Sequence, residues 1–260
     1  MAPLRDLKNL LRNAGIEPGE TLCVFSDITT FGIPSALQKQ VREKGLEFLL
    51  SAYLETFESL VGSNGLLVMP TFTYSATKGE TFEVNKTPST VGVLTEYFRK
   101  QQNVYRSRHP IFSFAATGRD AASYTMLTDF DSLGETSLLG KLYKRNAWYL
   151  LFGISMEESA TFVLYSEQKY RVYYRYIKKF PALIKDGNSI EAVEVPYCVR
   201  DLSYDYDYGW GNLETRAKKE GIVQELTWGA GSLLLTRAQA IDTLIGKQIA
   251  RDKDFLVAKK

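Results

Sequence analysis

The chain has few of the residues that several common kinds of site require. Its 260 residues include two cysteines, Cys23 and Cys198, and a single histidine, His109. The cysteines lie far apart and form no CxxC pair, so neither a disulfide framework nor a cysteine and histidine zinc site is expected. We therefore expect a reducing, cytoplasmic location and no bound metal.

A large charge of one sign and long apolar runs are also missing. Thirty-two basic residues against 30 acidic ones leave a formal net charge of +2, so no bulk attraction to nucleic acid or to an anionic membrane is expected. The first 15 residues carry charges through their apolar pattern, and no later apolar stretch reaches the length of a membrane span. A secretory segment and membrane insertion are therefore not expected.

Apolar residues are plentiful and follow the periods of helices and strands. With 45% hydrophobic and 13% aromatic residues, the chain can bury a sizeable core in one domain. Spacing and turn residues predict elements in an alternating order. The predicted helices are 4–11, 37–61, 89–100, 137–144, one from 159 onward, 213–219 and 237–250, and the predicted strands are 21–25, 66–69, 112–117, 148–152 and 232–235.

The alternation of helices and strands predicts an α/β fold, a layered αβα domain with a mixed sheet. After Arg171 the pattern changes to period two, and the Asp186-Gly187 turn indicates antiparallel strands. We therefore expect a single domain over 1–260, with an antiparallel subdomain inserted at 171–210. The polar stretch 71–86 has no sustained period and is expected to be a long functional loop.

His109 is the default candidate for proton transfer, because imidazole alone has an unperturbed pKa near neutrality. Pro110 favours an extended backbone at His109, and the neighbouring Arg106 and Arg108 disfavour its protonated form. His109 is therefore either a catalytic group that donates to an anion or a structural hydrogen-bonding side chain.

Asp27 directly follows the first predicted strand, where ligands of α/β sheets usually bind, and the hydroxyls of Ser26 and Thr29 lie beside it. Its alternative role is an Asx turn or helix cap. This loop has neither the GxGxxG nor the GxxxxGK[ST] spacing, so a dehydrogenase or a kinase is not supported.

Two further acidic sites are candidates. Glu167 lies one helical turn after Leu164 on the same face, so residues at these two positions can act together on one ligand; the alternative is a solvated helix face. The segment DLSYDYDYGWGN contains Asp205, Asp207 and Tyr208, a mixture that suits a cationic sugar. It is equally typical of a solvated loop, and its spacing does not follow a calcium-binding EF-hand.

Seven segments together resemble the aminoglycoside 3-N-acetyltransferase family, in the branch found beside polysaccharide biosynthesis genes. They are VFSDITTFG, LLVMPTFTYS, TPSTVGVLTEYFR, RSRHPIFSFAATG, LGETSLLGKLY, TFVLYSEQ and YRYIKKF, in order over nearly the whole chain. The resemblance implies acetyl-CoA as the acyl donor, an amine on an aminoglycoside or nucleotide-linked sugar as the acceptor, and direct transfer without an acyl-enzyme.

The chain departs from this family pattern at two positions. Phe25 and Leu164 stand where relatives typically carry histidines, the second of which is expected to be the catalytic base. Glu167, the partner carboxylate in that pattern, is retained, as are Asp27 and His109. In one explanation the protein is still a transferase, in which Glu167, Asp27 or a water chain removes the proton, or the acceptor amine is already neutral enough to react. In the other it is a non-acetylating homologue that binds a sugar or a CoA-type ligand, serves as a partner subunit, or catalyses a different acyl or sugar reaction.

The resemblance places CoA near the VFSD loop, the TPS helix start and the RSRHP segment. Helix N-termini and arginines suit its phosphates, although a solvated surface is the commoner place for arginine. The sequence leaves the oligomeric state open, a homo-oligomer included. The predicted CoA-binding residues are Ser26, Thr29, Ser89, Arg106, Arg108 and Ser137.

Overall fold

A computed structural model describes residues 4–259, which alternate between helices and strands along most of their length. The helices are α1 Arg5–Asn13, α2 Gln38–Lys44, α3 Leu46–Val61, α4 Ser75–Lys78, α5 Val93–Phe98, α6 Ala121–Thr125, α7 Leu138–Lys144, α8 Met156–Ser159, α9 Val163–Lys169, α10 Trp210–Lys219 and α11 Ala238–Arg251. The strands are β1 Thr21–Ser26, β2 Leu66–Pro70, β3 Phe82–Glu83, β4 Tyr105–Arg106, β5 Phe114–Gly118, β6 Trp148–Phe152, β7 Arg175–Asp186, β8 Ser189–Arg200, β9 Tyr206–Tyr208, β10 Gln224–Trp228, β11 Gly231–Arg237 and β12 Val257–Lys259.

The main sheet has seven strands in the order β10-β11-β6-β1-β2-β5-β4. The central strand β1 runs parallel to both β2 and β6. The outer strands are antiparallel to their neighbours, so the sheet is mixed, as the sequence predicted.

Helices cover both faces of this sheet. Along β1, Leu22 and Val24 point to the face covered by α1, α2, α3 and α5. Cys23 and Phe25 point to the other face, which packs against α6, α7, α9, α10 and α11. Because the strand is buried on both faces, it reads as a continuous apolar run. The layered αβα fold is confirmed.

The antiparallel part of the C-terminal third is a long hairpin of β7 and β8, each 12 residues long. Its turn includes Gly187, whose φ of +58° lies in the left-handed region that glycine adopts readily. The hairpin joins the body through parallel pairing of β3 with β7, where Phe82 faces Ile184. A second small sheet pairs β9 with β12.

Several predicted boundaries were wrong. The helix expected over 37–61 is two helices, because Gly45 at φ +83° separates α2 from α3. The helix expected from Ser89 starts only at Val93, after Gly92 at φ +126°. The expected loop over 71–86 contains α4 and β3.

Over residues 4–259, the helices are too short or too polar to cross a membrane.

Candidate active site

The carboxyl ends of three parallel strands meet at one edge of the main sheet, where α/β proteins usually bind ligands. Asp27 follows β1, Thr71 follows β2 and Gly153 follows β6. Gly153 has φ +75°, and a Cβ there would lie 2.2 Å from Thr30 Oγ1 and 2.3 Å from the Asp27 carbonyl oxygen. Glycine at 153 therefore lets the β6 loop cross the β1 loop closely and fixes the position of Asp27.

The loop after β1 presents its predicted site residues in different ways. The Asp27 carboxylate accepts hydrogen bonds from Thr29 N at 2.9 Å and Thr29 Oγ1 at 2.6 Å, so Asp27 caps a short 3-10 helix, Ile28–Phe31. Asp27 and Thr29 are both exposed at the sheet edge. Ser26 is buried, and its Oγ has no hydrogen-bond partner within residues 4–259. The capping role predicted as the alternative for Asp27 is therefore present, and the exposed carboxylate remains accessible.

Leu164 and Phe25, the two positions where the resemblance expects histidine, belong to the same apolar cluster. The Phe25 ring lies 5.8 Å from that of Phe162 and 6.1 Å from that of Tyr149, both edge-on. Leu164 is 6% exposed. The floor of the site at this point is therefore hydrocarbon, and neither position supplies a proton acceptor.

Glu167 lies on α9, one turn after Leu164, and is fully buried, so its alternative role on a solvated helix face is excluded. Its Oε2 accepts a hydrogen bond from Arg175 Nε at 2.6 Å, and its Oε1 accepts one from the Tyr174 hydroxyl at 3.0 Å. Burial raises the pKa of the Glu167 carboxyl, while the charge of Arg175 opposes that shift. Both carboxylate oxygens are thus occupied, and a proton on Glu167 would leave a buried guanidinium without its counter-charge.

Arg175, at the start of β7, connects Glu167 to the hairpin and to β9. Its Nη1 donates to the Cys198 carbonyl at 3.1 Å and its Nη2 donates to the Tyr208 hydroxyl at 2.9 Å. Burial alone would lower the pKa of Arg175, but the Glu167 carboxylate raises it above the usual value. The guanidinium is therefore charged and holds Tyr208 at the site.

Three half-buried tyrosines, Tyr74, Tyr197 and Tyr208, form what we call the tyrosine wall. The ring of Phe112 lies 5.6 Å from Tyr74 and 5.0 Å from Tyr197, and Tyr208 stacks on Trp210 at 4.4 Å. Burial raises the pKa of Tyr74 and of Tyr197, with a contribution to Tyr74 from Tyr208 and to Tyr197 from Tyr74. The three side chains therefore converge on one region beside Arg175.

The three residues predicted to bind a sugar lie in different surroundings. Tyr206 and Tyr208 share one face of β9, so Asp207 between them points to the opposite face. Asp205 is exposed in the preceding loop. Only Tyr208 of the three predicted substrate-binding residues thus contacts the buried Arg175.

Arg106 and Arg108, predicted to bind phosphate, already have partners within the protein. Arg106 donates to the Val84, Thr87 and Thr71 carbonyl oxygens at 2.6–3.0 Å. Burial lowers its pKa to about 9. Arg108 forms ion pairs with two carboxylates of the hairpin turn, those of Asp186 and Glu191. Both arginines lie along a cavity of about 470 Å³ beside β4.

His109 is buried and uses both ring nitrogens. Its Nδ1 accepts hydrogen bonds from the backbone N–H groups of Ile111 at 3.2 Å and Phe112 at 3.0 Å. The Nε2 must then carry the proton, and it donates to the Phe130 carbonyl at 3.1 Å. Burial lowers the pKa of His109 to about 4. This geometry favours the structural role over proton transfer.

The two predicted serines at helix starts make local hydrogen bonds. Ser137 caps α7, where its Oγ accepts from Gly140 N at 3.1 Å and donates to the Gly134 carbonyl at 2.6 Å. Ser89 lies three residues before Gly92, and its Oγ lies 3.0 Å from Thr95 Oγ1. Ser89 is half-buried and Ser137 is buried, so Ser89 is the more accessible of the two.

Sequence reasoning missed Arg175, Tyr74 and Tyr197. Arg175 lies in the segment YRYIKKF and Tyr74 in LLVMPTFTYS. Both segments resemble the family, so the resemblance could have pointed to these two residues. Tyr74 has φ +57°, unusual for a residue other than glycine, and such outliers concentrate at functional sites. In the part of the chain that the structure describes, no three histidine, cysteine or acidic side chains are grouped to hold a metal ion.

Known proteins are similar to this chain over most of its length. Residues 37–247 match the family model described as aminoglycoside 3-N-acetyltransferase. The SPbeta prophage-derived aminoglycoside N(3')-acetyltransferase-like protein YokD of Bacillus subtilis is 28% identical over 192 residues, which is 69% of this chain and 70% of YokD. Aminoglycoside N(3)-acetyltransferase IV of Salmonella sp is 28% identical over 201 residues, 75% of this chain and 69% of that protein.

Solved structures share the fold. A mutant of AAC(3)-IVa in complex with a gentamicin has a TM-score of 0.78 at 22% identity, over 97% of this chain and 90% of that one. AAC-IIIb as a binary complex with CoASH has a TM-score of 0.77 at 18% identity, over 95% of this chain and 96% of that one.

Proposed function

Because the chain belongs to the aminoglycoside 3-N-acetyltransferase family, we propose that it is an N-acyltransferase. It moves an acetyl or related acyl group from acetyl-CoA to the amine of an amino sugar, an aminoglycoside or a nucleotide-linked sugar. The relatives solved with CoASH and with a gentamicin support a donor and an acceptor of these classes. Membership of the branch found beside polysaccharide biosynthesis genes is part of this proposal.

In the proposed reaction the amine nitrogen attacks the thioester carbonyl carbon. The C–N bond forms, the C–S bond breaks, and the proton lost by nitrogen goes to the leaving thiolate, giving the amide and free CoA. An ammonium must first lose a proton, because only the neutral nitrogen has a lone pair for the attack.

One observation carries the proposal: Glu167 lies one helical turn after Leu164 and pairs with Arg175, which also holds Tyr208 of the tyrosine wall. In this proposal Glu167 is the orienting carboxylate, and the aliphatic Leu164 lies where the base would be. Of the proposed catalytic residues, Glu167 acts by positioning through Arg175, and Asp27 is the exposed carboxylate. His109 supports its own loop by accepting a hydrogen bond from the Ile111 N–H group.

The donor site in this proposal lies along the loop after β1. Ser26 has an unpartnered buried hydroxyl and Thr29 an exposed one, so both suit polar groups of CoA. Ser89 lies close by, since the neighbouring Gly92 approaches the Ser26 carbonyl oxygen. The other proposed donor residues, Arg106, Arg108 and Ser137, already make hydrogen bonds or ion pairs within the protein and would shape the site more than contact phosphate.

Leu164→His tests this proposal. If Glu167 and the donor site are in place, the new imidazole supplies the missing base, and kcat with amino sugars should rise on the order of a hundredfold with little change in KM. The pH profile should gain a rising limb near a histidine pKa of about 6.5. The measurement is thiol release from acetyl-CoA, with Leu164→Asn as the control of similar size and polarity. A folded histidine variant no faster than the asparagine variant on a panel of amino sugars would contradict the proposal.

The alternative is a non-acetylating homologue that binds a sugar or a CoA-type ligand, and the buried Leu164 favours it. Both of these functions include binding of a CoA-type ligand. Calorimetry with CoA and acetyl-CoA therefore distinguishes both of them from a protein that has lost the donor site. We expect binding of both. Binding together with no thiol release from any acceptor, in wild type and in Leu164→His alike, would favour the alternative, and no heat at millimolar ligand would exclude a CoA site.

A further inference from the structure

Asp27 continues the line of strand β1 by one residue. Its N–H donates to the Phe152 carbonyl oxygen of β6 at 2.9 Å, and its φ of −124° and ψ of 102° are extended. Because side chains alternate along an extended strand, Asp27 lies on the same face of the sheet as Phe25, about 6.6 Å further along at about 3.3 Å per residue. The Asp27 side chain therefore begins beside the apolar floor, by which we mean Phe25 and Leu164.

One oxygen of the Asp27 carboxylate is oriented and the other is free. Oδ1 accepts both hydrogen bonds from Thr29, one from its N–H at 2.9 Å and one from its hydroxyl at 2.6 Å. Within residues 4–259, Oδ2 has no hydrogen-bond or ion-pair partner, and the side chain is exposed. A carboxylate oxygen has lone pairs and no hydrogen of its own. Oδ2 can therefore accept a proton from a ligand at the floor.

The backbone of Asp27 is held from two sides. The Thr30 hydroxyl donates to the Asp27 carbonyl oxygen at 3.0 Å. The β6 loop crosses directly behind, where a Cβ on Gly153 would lie 2.3 Å from the same oxygen. A group that is fixed before the ligand arrives needs no rearrangement during the reaction. Asp27 is thus an exposed carboxylate in a fixed position at the sheet edge.

The other two proposed catalytic residues have no free acceptor atom. Glu167 pairs with Arg175 at 2.6 Å, and both side chains are buried, so a proton on Glu167 would leave a buried charge without compensation. His109 accepts two backbone N–H groups at Nδ1 and donates from Nε2. Of the three, only Asp27 combines exposure with an unoccupied acceptor.

We propose that Asp27 is the general base of this site, with Oδ2 binding the ammonium group of the acceptor sugar and taking one of its protons. This inference rests on the N-acyl transfer proposed above and names the residue that replaces the histidine missing at position 164. The nitrogen attacks the thioester carbon, the C–N bond forms and the C–S bond breaks. Asp27 passes its proton to water, and the second nitrogen proton goes to the leaving thiolate. The products are the amide, free CoA and one proton in solution.

Asp27→Asn is the first test, because the amide keeps a carbonyl oxygen for the Thr29 hydrogen bonds and asparagine caps helices well. Rates of thiol release from acetyl-CoA are measured at pH 7 with a panel of amino sugars, D-glucosamine included. We expect kcat to fall at least about a hundredfold, because a general base acts in the transition state. A fall below about threefold, or an effect confined to KM, would overturn the assignment, since a group that only binds the acceptor changes KM.

Glu158→Gln is the matched control at the same edge. Glu158 is exposed, and its Oε2 accepts hydrogen bonds from the Ser155 N–H and hydroxyl. These bonds lower the pKa of Glu158, although the negative charge of Asp27 opposes that shift. The two carboxylates are therefore close enough to interact, and loss of the Glu158 charge should leave kcat within about threefold of wild type. Equal losses in the two variants would show that general negative charge, rather than Asp27, matters.

Leu164→His separates proton transfer from a structural role of Asp27. A histidine at 164 supplies a second base, so Asp27→Asn should cost less than about tenfold in kcat in that background, against at least about a hundredfold in wild type. The same fold loss in both backgrounds would show that Asp27 shapes the loop and does not take the proton.

The wild-type protein distinguishes failure of this inference from failure of the proposed function. If wild type releases thiol with an amino sugar and Asp27→Asn is as fast, the assignment of Asp27 is wrong and the N-acyltransferase proposal stands. If wild type binds no acetyl-CoA by calorimetry and releases no thiol with any amino sugar, the proposed function is wrong, and the role of Asp27 is excluded with it.

Discussion

The two ends of the β7–β8 hairpin are attached to the body by the same chemistry in different surroundings. At its base, Arg175 pairs with Glu167, and the two side chains are 1% and 0% exposed. At its tip, Arg108 pairs with Asp186 at 3.5 Å and with Glu191 at 2.7 Å, and these side chains are 39–45% exposed. Burial is therefore the main difference between the two attachments.

The comparison teaches that, of these two ion-pair attachments, only the one at the base is strongly enforced; near the tip the hairpin is held instead by the pairing of β3 with β7, where Phe82 and Ile184 are buried. An exposed ion pair is screened by water and contributes about 0–1 kcal/mol. Removing one member of a buried pair leaves a charge without compensation and costs about 3–5 kcal/mol. The base also holds Tyr208, so the buried ion pair is the one nearest the candidate site.

The largest expected effect comes from breaking the base. Arg175→Met leaves the Glu167 carboxylate buried without its partner and should lower the free energy of unfolding by about 3–5 kcal/mol. Urea denaturation followed by circular dichroism measures this change. The double variant Glu167→Gln with Arg175→Met should recover part of the loss, because no uncompensated charge then remains. A loss below about 1 kcal/mol in Arg175→Met would show that the base is no stronger than the tip.

The middle of the hairpin gives a second, pH-dependent test. Ser132 N donates to the Pro196 carbonyl of β8, and His109 lies behind that loop, 3.3 Å from Ser132 Oγ. The folded pKa of His109 is about 4, below the unfolded value of about 6.5, so the unfolded chain binds the extra proton first. Stability from this group is complete above about pH 6.5 and falls by about 3 kcal/mol as the pH drops to about 4.

His109→Asn tests that assignment, because its amide oxygen can replace Nδ1 as an acceptor without titrating. We expect the difference in unfolding free energy between pH 7 and pH 4 to shrink by about 3 kcal/mol relative to wild type. The same pH dependence in both proteins would show that other groups govern acid stability.

The smallest effect is expected at the tip. Arg108→Ala should cost less than about 1 kcal/mol, and the cost should fall further in high salt. The affinity of the same variant for acetyl-CoA sharpens the comparison. An unchanged affinity indicates that Arg108 acts only in the hairpin, whereas a clear loss supports the phosphate contact that the sequence predicted. A stability loss as large as that of Arg175→Met would remove the distinction between base and tip.

Local pattern predicted much of the fold. The predicted strand over 148–152 coincides with β6, and the Asp186-Gly187 turn of the hairpin was also identified correctly. The strand β10 was missed, because its burial pattern is mostly exposed and carries little apolar signal. The helix predicted over 37–61 spans Gly45, whose positive φ separates α2 from α3.

The sequence by itself determined most of the order of helices and strands, the single histidine and the aliphatic side chain at position 164, because these depend on composition and near-neighbour spacing. Only the tertiary structure decided that Glu167 pairs with Arg175, that both nitrogens of His109 are occupied, and that Asp207 points away from the face of Tyr208. Burial and charge pairing arise when separate elements pack together, and no local pattern contains those distances.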